Sequence, residues 1–321
     1  MANVSLTIAC GPYDRMEGIR SGAVQIEGID PTYVAIESPV EIFARMIKQN
    51  AFDVSEMSLT TFMSARSRND FPFVGIPVFP SRVFRHGFIF VNSRAGIKKP
   101  QDLAGKRIGV QGYRQTASVW IRGILKDEYN VDFSGVRWVD GGGSTPSEKP
   151  FPGVQVERVA GMPALSEMLA QGKIDAFMGA SAPLSFGKIP EVARLFPNYR
   201  EVEREYFQRS GIFPIMHTMV IREKLYQEKP WIAESLFKAF SESKRLALRA
   251  MRFSGAMRYM LPWLYDDVDE IDRLFGRDPY PYGLEPNRRN LETLARYLLQ
   301  EGFVERPIEV NGIFAPIVWK H

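Results

Sequence analysis

Cysteine, histidine and long apolar runs are scarce in this chain of 321 residues, which contains one cysteine and three histidines. A single cysteine excludes an intramolecular disulfide and the usual cysteine-rich zinc sites. Cys10 lies in an apolar run, so we expect a buried structural thiol and not a nucleophile. The glycine run Gly141-Gly142-Gly143-Ser144 lacks the strand–turn–helix context of a dinucleotide fingerprint and the lysine of a phosphate loop, which indicates a flexible connection.

A large excess of charge of one sign is also missing. Lys and Arg number 41 against 37 Asp and Glu, which gives a net charge of +4, and the basic residues are dispersed along the chain. Without a basic block we expect no nucleic-acid partner, whereas a mild positive balance suits a small anion. The first apolar segment, from Val4 to Cys10, is too short for export or membrane spanning, and no Lys or Arg precedes it. Taken as the native start, it predicts a cytoplasmic protein without a membrane partner.

The sequence pattern indicates alternating strands and helices in the first ninety residues. Residues 4–10, 32–36 and 52–57 have the composition of strands. Pro39 to Gln49 is predicted to be a helix whose apolar face carries Val40, Phe43, Ala44 and Ile47. This order predicts an α/β fold with parallel strands and right-handed crossovers. A second unit begins after Val91, and the C-terminal third is predicted to be largely helical.

The segment from Ser81 to Val91 is the most informative for function. It places Arg82, Arg85 and His86 directly before an apolar run that is typical of a buried strand. Guanidinium groups recognise carboxylates by paired hydrogen bonds, and imidazole can move a proton near neutral pH. The alternative is an ion-paired strand end, but a bound anion would relieve the repulsion among these cations. The segment therefore predicts a site for a small organic acid.

Other polar groups follow predicted strands, where open α/β sheets bind their ligands. Most of them have a simpler alternative role as helix caps or as arginines paired with nearby carboxylates. The candidates for substrate contact are Tyr13, Asp14, Arg15, Ser58, Thr60, Gln111, Arg114, Thr116 and Ser181.

The histidines divide into different environments. His217 lies in an apolar strand, where a hydrogen-bonded core histidine and a catalytic role are both reasonable. His321 is terminal, and we expect it to be exposed. His86 and His217 do not have the spacing of a helical metal pair, so a metal would require the fold to join both with carboxylates such as Asp14 or Glu56. We expect no cofactor, although a divalent metal stays open.

Two sets of motifs resemble known families. The segment Leu103-Ala104-Gly105-Lys106-Arg107-Ile108-Gly109-Val110 resembles the start of the second lobe in type II periplasmic-binding-protein folds. This resemblance implies two lobes, each a mixed sheet flanked by helices, with added C-terminal helices. Residues 1–91 and 213–321 would form the first lobe, residues 92–212 the second, and the ligand cleft would lie between them.

More specific motifs resemble the 4,5-dihydroxyphthalate decarboxylase family. They include His217 and Lys224-Leu225, together with the segments Arg82-Val83-Phe84-Arg85-His86-Gly87, Gly112-Tyr113-Arg114-Gln115-Thr116-Ala117-Ser118-Val119-Trp120-Ile121-Arg122-Gly123-Ile124-Leu125 and Tyr282-Gly283-Leu284-Glu285-Pro286-Asn287-Arg288. The resemblance implies a cytoplasmic enzyme of aromatic degradation. Such an enzyme removes one carboxylate from 4,5-dihydroxyphthalate without oxidation, giving protocatechuate and carbon dioxide.

For this reaction we hypothesise the following roles for the candidate residues. The arginines Arg82, Arg85 and Arg114 would hold the dianion, and ring hydroxyls would contact Tyr13, Asp14 or Thr60. His86 or His217 would protonate the ring, while Asp14 or Glu56 would accept the phenolic proton.

Other functions stay open at this point. The main alternative is a non-catalytic binding protein that delivers an organic acid to a transporter. A further alternative is an enzyme of pyrimidine or cofactor biosynthesis on the same scaffold. A homo-oligomer is compatible with the sequence, which does not fix the number of subunits.

Overall fold

The computed structural model describes residues 3–68, 71–142, 154 and 156–318. Gly143, Ser144 and His321 lie outside the described residues, so the interpretations given for them stay predictions. Among the described residues, none of the helices combines the length and the apolar composition that crossing a bilayer requires.

Strands and helices alternate over residues 4–82, as the pattern predicts, and the chain after residue 222 is helical without further strands in the part that the structure describes. The strands are β1 (Val4–Cys10), β2 (Ile29–Ala35), β3 (Val54–Ser58), β4 (Phe73–Arg82), β5 (Ile89–Asn92), β6 (Arg107–Val110), β7 (Arg137–Asp140), β8 (Val156–Arg158), β9 (Ala176–Met178), β10 (Val192–Arg194) and β11 (Ile215–Arg222). The helices are α1 (Glu17–Arg20), α2 (Pro39–Gln49), α3 (Leu59–Arg66), α4 (Thr116–Tyr129), α5 (Gly161–Ala170), α6 (Tyr199–Ser210), α7 (Glu223–Glu228), α8 (Trp231–Met251), α9 (Leu264–Phe275), α10 (Arg288–Gln300) and α11 (Val310–Ile313).

The chain forms two compact units. The first comprises Met1–Arg82, Ile215–Glu292 and Ile308–His321, and the second comprises Val83–Pro214 and Thr293–Pro307. Residues 83–91, 213–214 and 293–307 therefore belong to the second unit, whereas the resemblance assigns them to the first lobe. Residues 89–92 belong to the second unit because they form strand β5, which is hydrogen-bonded to β9 on one side and to β10 on the other.

The sheet of the first unit brings several strand ends to one edge. Its strand order is β2-β1-β3-β11-β4, with β1 parallel to β2 and β3. Strand β11 runs antiparallel to both β3 and β4. Consequently β1, β3 and β4 end at the same edge, and β11 begins there. Helix α8 supplies Leu236, Phe237 and Phe240 to the core beneath this sheet.

Helix α2 is confirmed, but its buried face differs from the prediction. Proline in the first turn and the left-handed Asn50 after the last turn bound the helix, as the rules for helix ends require. The side chains that it buries are Ile42, Phe43 and Met46, while the predicted Val40 and Ile47 are exposed.

The sheet of the second unit has the strand order β10-β5-β9-β6-β7-β8. Strands β6, β7, β8 and β9 are parallel, and β5 runs antiparallel to β9. The residues that follow β6 and β9 therefore share an edge with the residues that precede β5. Both sheets are flanked by helices, which agrees with the predicted α/β class.

The C-terminal segment 293–307 closes onto α4 of the second unit. A Cβ at Gly123 would fall directly on the buried ring of Tyr297, whose hydroxyl donates to Asp127 Oδ2 at 2.7 Å. Alanine normally favours a helix over glycine by about 1 kcal/mol. We expect Gly123→Ala instead to lower the free energy of unfolding by about 2 kcal/mol, because the Tyr297 ring is buried and its hydroxyl is held by Asp127. Equilibrium urea unfolding measures the change, and Gly123→Ala combined with Tyr297→Leu should recover part of it.

Candidate active site

A buried carboxylate is the centre of the polar edge of the first sheet. Glu56, in the middle of β3, is fully buried. Its Oε2 accepts hydrogen bonds from the Gly11 amide at 2.9 Å and from the Cys10 thiol at 3.4 Å. Its Oε1 accepts from the Tyr13 hydroxyl at 2.7 Å and lies 2.6 Å from Nδ1 of His217. These hydrogen-bond partners stabilise the buried charge of Glu56, whereas a buried carboxylate without partners would be unstable in its charged form.

The pKa of Glu56 reflects these partners. Burial alone would raise the pKa of the carboxyl, but His217, the Tyr13 hydroxyl and the Gly11 amide together hold it below its ordinary value. Glu56 is therefore ionised at neutral pH. Because an ionised carboxylate only accepts, Nδ1 of His217 donates to it, and this bond fixes the orientation and the tautomer of the ring.

His217 combines a fixed ring with a partly exposed side chain. It lies near the start of β11, opposite Ser58 of β3, and its ring meets that of Phe43 edge-on at 5.1 Å. The side chain is 18% exposed, and Nε2 has no hydrogen-bond partner among the described residues. Such an imidazole can pass a proton through Nε2 while Glu56 holds the ring in place through Nδ1.

Cys10 is buried, as predicted. Burial and the neighbouring Glu56 charge raise the pKa of its thiol well above the ordinary value. It therefore stays protonated and serves as a donor to Glu56, which is a structural role.

The turn after β1 places Tyr13, Asp14 and Arg15 at the same edge. The Tyr13 ring lies 4.3 Å from the guanidinium carbon of Arg15, and the Tyr13 hydroxyl donates to Glu56. The Tyr13 side chain therefore contacts both this cation and the buried carboxylate. Of the predicted hydroxyls, Ser58 and Thr60 lie at the end of β3 and the start of α3, with their oxygens 3.3 Å apart. The fold thus brings together these candidates and His217, although they come from distant parts of the sequence.

Arg82 ends β4 at this edge. Its guanidinium donates to Asn287 Oδ1 and to the Pro281 carbonyl, the latter at 3.1 Å. Burial lowers the pKa of Arg82 to about 10, which leaves it charged at neutral pH. These contacts fasten the end of β4 to the segment before α10. Asn287 belongs to a motif that resembles the family, but nothing in the sequence singled it out as the partner of Arg82.

In the second unit, Arg85 and His86 precede β5. Nη1 of Arg85 lies 3.4 Å from the Ala180 carbonyl, and burial lowers the pKa of this guanidinium to about 9. Nearby, the Glu203 carboxylate accepts from the amides of His86 and Gly87, the latter at 3.0 Å. Burial raises the pKa of Glu203 to about 7 against the opposing effect of these amides and of Arg85. Sequence reasoning missed Glu203, since it is one of several acidic residues in α6.

His86 has an apolar environment. It is almost fully buried among the rings of Tyr129, Phe196 and Tyr206, and its two ring nitrogens have no hydrogen-bond partner among the described residues. Burial, with a smaller contribution from Arg209, lowers the pKa of His86 to about 4. The ring is neutral at pH 7, so this environment favours His217 over His86 as a proton donor.

The remaining candidates follow strands β6 and β9 of the second unit. Arg114 lies 5.0 Å from the ring of Phe303, and Thr116 is buried as the first residue of α4. Gln111 is partly buried after β6, and Ser181 is exposed after β9. Within residues 3–68, 71–142, 154 and 156–318, no group of three or more His, Cys, Asp or Glu side chains is arranged to hold a metal ion.

Comparison with solved structures identifies the class of fold. The chain is similar to the periplasmic aliphatic sulphonate binding protein SsuA from Escherichia coli, with a TM-score of 0.58 and 11% identity over 98% of both chains. This similarity confirms the type II periplasmic-binding-protein-like fold.

Sequence comparison then gives the family. A family profile described as NMT1/THI5 like matches residues 25–248. A 4,5-dihydroxyphthalate decarboxylase from Comamonas testosteroni is 36% identical over 323 residues, covering 98% of both chains. Another, from Pseudomonas putida, is 35% identical and covers 65% of this chain and 83% of its own. The chain therefore belongs to the 4,5-dihydroxyphthalate decarboxylase family, within the NMT1/THI5-like group, which confirms the resemblance in its motifs.

Proposed function

We propose that this protein is a carboxy-lyase that removes one carboxylate from 4,5-dihydroxyphthalate and releases protocatechuate and carbon dioxide. Relatives that carry this activity in their names support the substrate. The structural observation that carries the proposal is the fully buried Glu56 carboxylate, 2.6 Å from Nδ1 of His217, whose side chain is partly exposed.

The substrate explains why a proton donor is needed. Direct loss of carbon dioxide from an aromatic ring would leave an unstable aryl carbanion. In 4,5-dihydroxyphthalate each carboxylate-bearing carbon lies para to a hydroxyl, so loss of that phenolic proton directs electron density to the same carbon. Protonation there gives a non-aromatic ketone. When the bond to the carboxylate then breaks, its electron pair returns to the ring, which becomes aromatic again as carbon dioxide leaves.

The residues of the first unit supply the proton. Nε2 of the protonated His217 ring donates it to the ring carbon of the substrate, while the hydrogen bond from Nδ1 to Glu56 holds the imidazole in position. The Gly11 amide and the Tyr13 hydroxyl hold Glu56 in place, so the dyad needs little rearrangement during the reaction. Asp14 is the exposed carboxylate at this edge and is the acceptor that we assign to the phenolic proton.

The test is product formation by the purified protein. Incubation with 4,5-dihydroxyphthalate in deuterated water, with and without a chelator, should yield carbon dioxide and protocatechuate in equal amounts. Mass spectrometry should find one deuterium at the carbon that lost its carboxylate. Tight binding of the substrate without release of carbon dioxide would instead support the alternative function of a non-catalytic binding protein.

The fold alone does not separate these two functions, because a sulphonate-binding protein shares it. The family of the chain and its buried carboxylate–imidazole dyad favour the enzyme. The cytoplasmic location and a homo-oligomeric state stay predictions.

A further inference from the structure

The guanidinium of Arg15 is held in one orientation. Its Nε donates to the Pro80 carbonyl at 2.6 Å, and its Nη1 donates to Asp14 Oδ1 at 3.0 Å. The rings of Tyr13 and Tyr280 lie 4.3 and 4.6 Å from its central carbon. The other terminal nitrogen, Nη2, has no hydrogen-bond partner among the described residues. Arg15 thus presents a fixed donor beside the Glu56–His217 dyad.

Asp14 presents an acceptor next to this donor. Its Oδ1 also accepts from the Arg15 amide at 2.7 Å, which fixes the carboxylate, and its side chain is 39% exposed. Its Oδ2 accepts a hydrogen bond from the phenolic hydroxyl of Tyr259 at 3.1 Å. One oxygen of Asp14 therefore already binds a phenol, the functional group that the substrate carries.

Tyr259 belongs to an exposed segment between α8 and α9. It is only partly exposed itself, whereas its large apolar neighbours along the chain are exposed. These neighbours are Phe253, Met257, Met260, Leu261 and Trp263. A segment with so few buried apolar side chains can move at little cost, so the Tyr259 hydroxyl can be displaced.

From these observations we infer that the Asp14–Arg15 pair recognises the two neighbouring hydroxyls of the substrate, and that Tyr259 holds the place of one of them before the substrate binds. One ring hydroxyl donates to Asp14 Oδ2, and the neighbouring oxygen accepts from Nη2 of Arg15. This inference rests on the proposed function, and it identifies Asp14 and Arg15 as the residues that determine specificity for the dihydroxy ring.

The charge of the pair favours hydroxyls over a carboxylate. Asp14 and Arg15 form an ion pair, so their combined charge is close to zero and attracts a second anion weakly. A fixed donor beside a fixed acceptor instead matches two neighbouring hydroxyls. Sites built to hydrogen-bond a substrate hydroxyl discriminate strongly against analogues that lack it, since their polar groups lose a partner.

Binding of two unreactive ligands tests the inference. The product, 3,4-dihydroxybenzoate, carries both hydroxyls, and benzoate carries none. We expect the wild type to bind the dihydroxy ligand at least about 10-fold more tightly than benzoate. Asp14→Asn should weaken binding of the dihydroxy ligand by about 10-fold. Binding of benzoate to this variant should change by less than about twofold. Calorimetry at one pH measures both.

The other variants separate recognition from folding. Arg15→Met should reduce the preference for the dihydroxy ligand in the same way, whereas Tyr259→Phe should strengthen binding of that ligand by about two- to fivefold, because it removes the competing phenol. The exposed Asp269 of α9 provides a matched control, since Asp269→Asn should leave the affinity for both ligands unchanged.

Three results would overturn the inference: equal affinity of the wild type for the two ligands, equal weakening of both by Asp14→Asn, or weaker dihydroxy binding by Tyr259→Phe. Release of carbon dioxide by the wild type tests the proposed function separately. An active enzyme without a hydroxyl preference refutes the recognition by Asp14 and Arg15 alone. An inactive protein with that preference refutes the decarboxylase alone.

Discussion

Replacement of His217 by glutamine should lower kcat for 4,5-dihydroxyphthalate by about 10²- to 10⁴-fold, the usual contribution of a general acid. KM should change by less than about threefold, because the proton is transferred only in the transition state. Glutamine keeps a hydrogen-bonding group near Glu56 but cannot deliver a proton. Steady-state kinetics measure both constants, and unchanged turnover would remove His217 from the mechanism.

His86→Gln is the matched comparison for this prediction. His86 is buried among aromatic rings with its pKa lowered to about 4, so it is neutral at the pH of the assay. We expect His86→Gln to keep kcat within about 10-fold of the wild type, below the range of a general acid. Loss of turnover in this variant, with His217→Gln active and both proteins folded, would reverse the assignment.

Much of the fold could be predicted from local pattern. The alternation of strands and helices gave the α/β class, and residues after strands gave Tyr13, Asp14, Arg15, Ser58 and Thr60 as candidates. The fold places these residues at one edge because parallel strands end at the same edge of a sheet, while their contact with a substrate stays a prediction. The buried face of α2 was predicted less well: Val40 and Ile47 are apolar, but only the packing of the helix decides that Ile42 and Met46 are buried instead.

The pairing of the site residues could not be predicted in the same way. Glu56 and His217 are 161 residues apart, and they meet because β11 returns to the first sheet antiparallel to β3. No local pattern carries that register. Arg82 and Arg85 are close in sequence, yet they belong to different units, because the second unit begins at Val83. Their joint role in carboxylate binding stays a prediction.

The buried His86 imidazole and the Glu203 carboxylate of the second unit lead to an expected pH dependence of stability. The folded-state pKa of His86, about 4, is below its ordinary value of 6.5, so its contribution is complete above pH 6.5 and is lost as the pH falls towards 4. The folded-state pKa of Glu203, about 7, is above its ordinary 4.5, so its contribution is complete below pH 4.5 and is lost as the pH rises through 7. Each shift corresponds to about 3 kcal/mol.

Between pH 4.5 and 6.5 the two effects have opposite slopes and nearly cancel in the wild type. Glu203→Gln removes one of them, so the free energy of unfolding of this variant, relative to wild type, should fall by about 2 to 3 kcal/mol from pH 6.5 to 4.5. His86→Gln should show the reverse, becoming relatively less stable by a similar amount as the pH rises from 4.5 to 6.5. Urea unfolding at several pH values measures these slopes. Parallel curves for both variants and the wild type would show that the environments of His86 and Glu203 do not shift their titration.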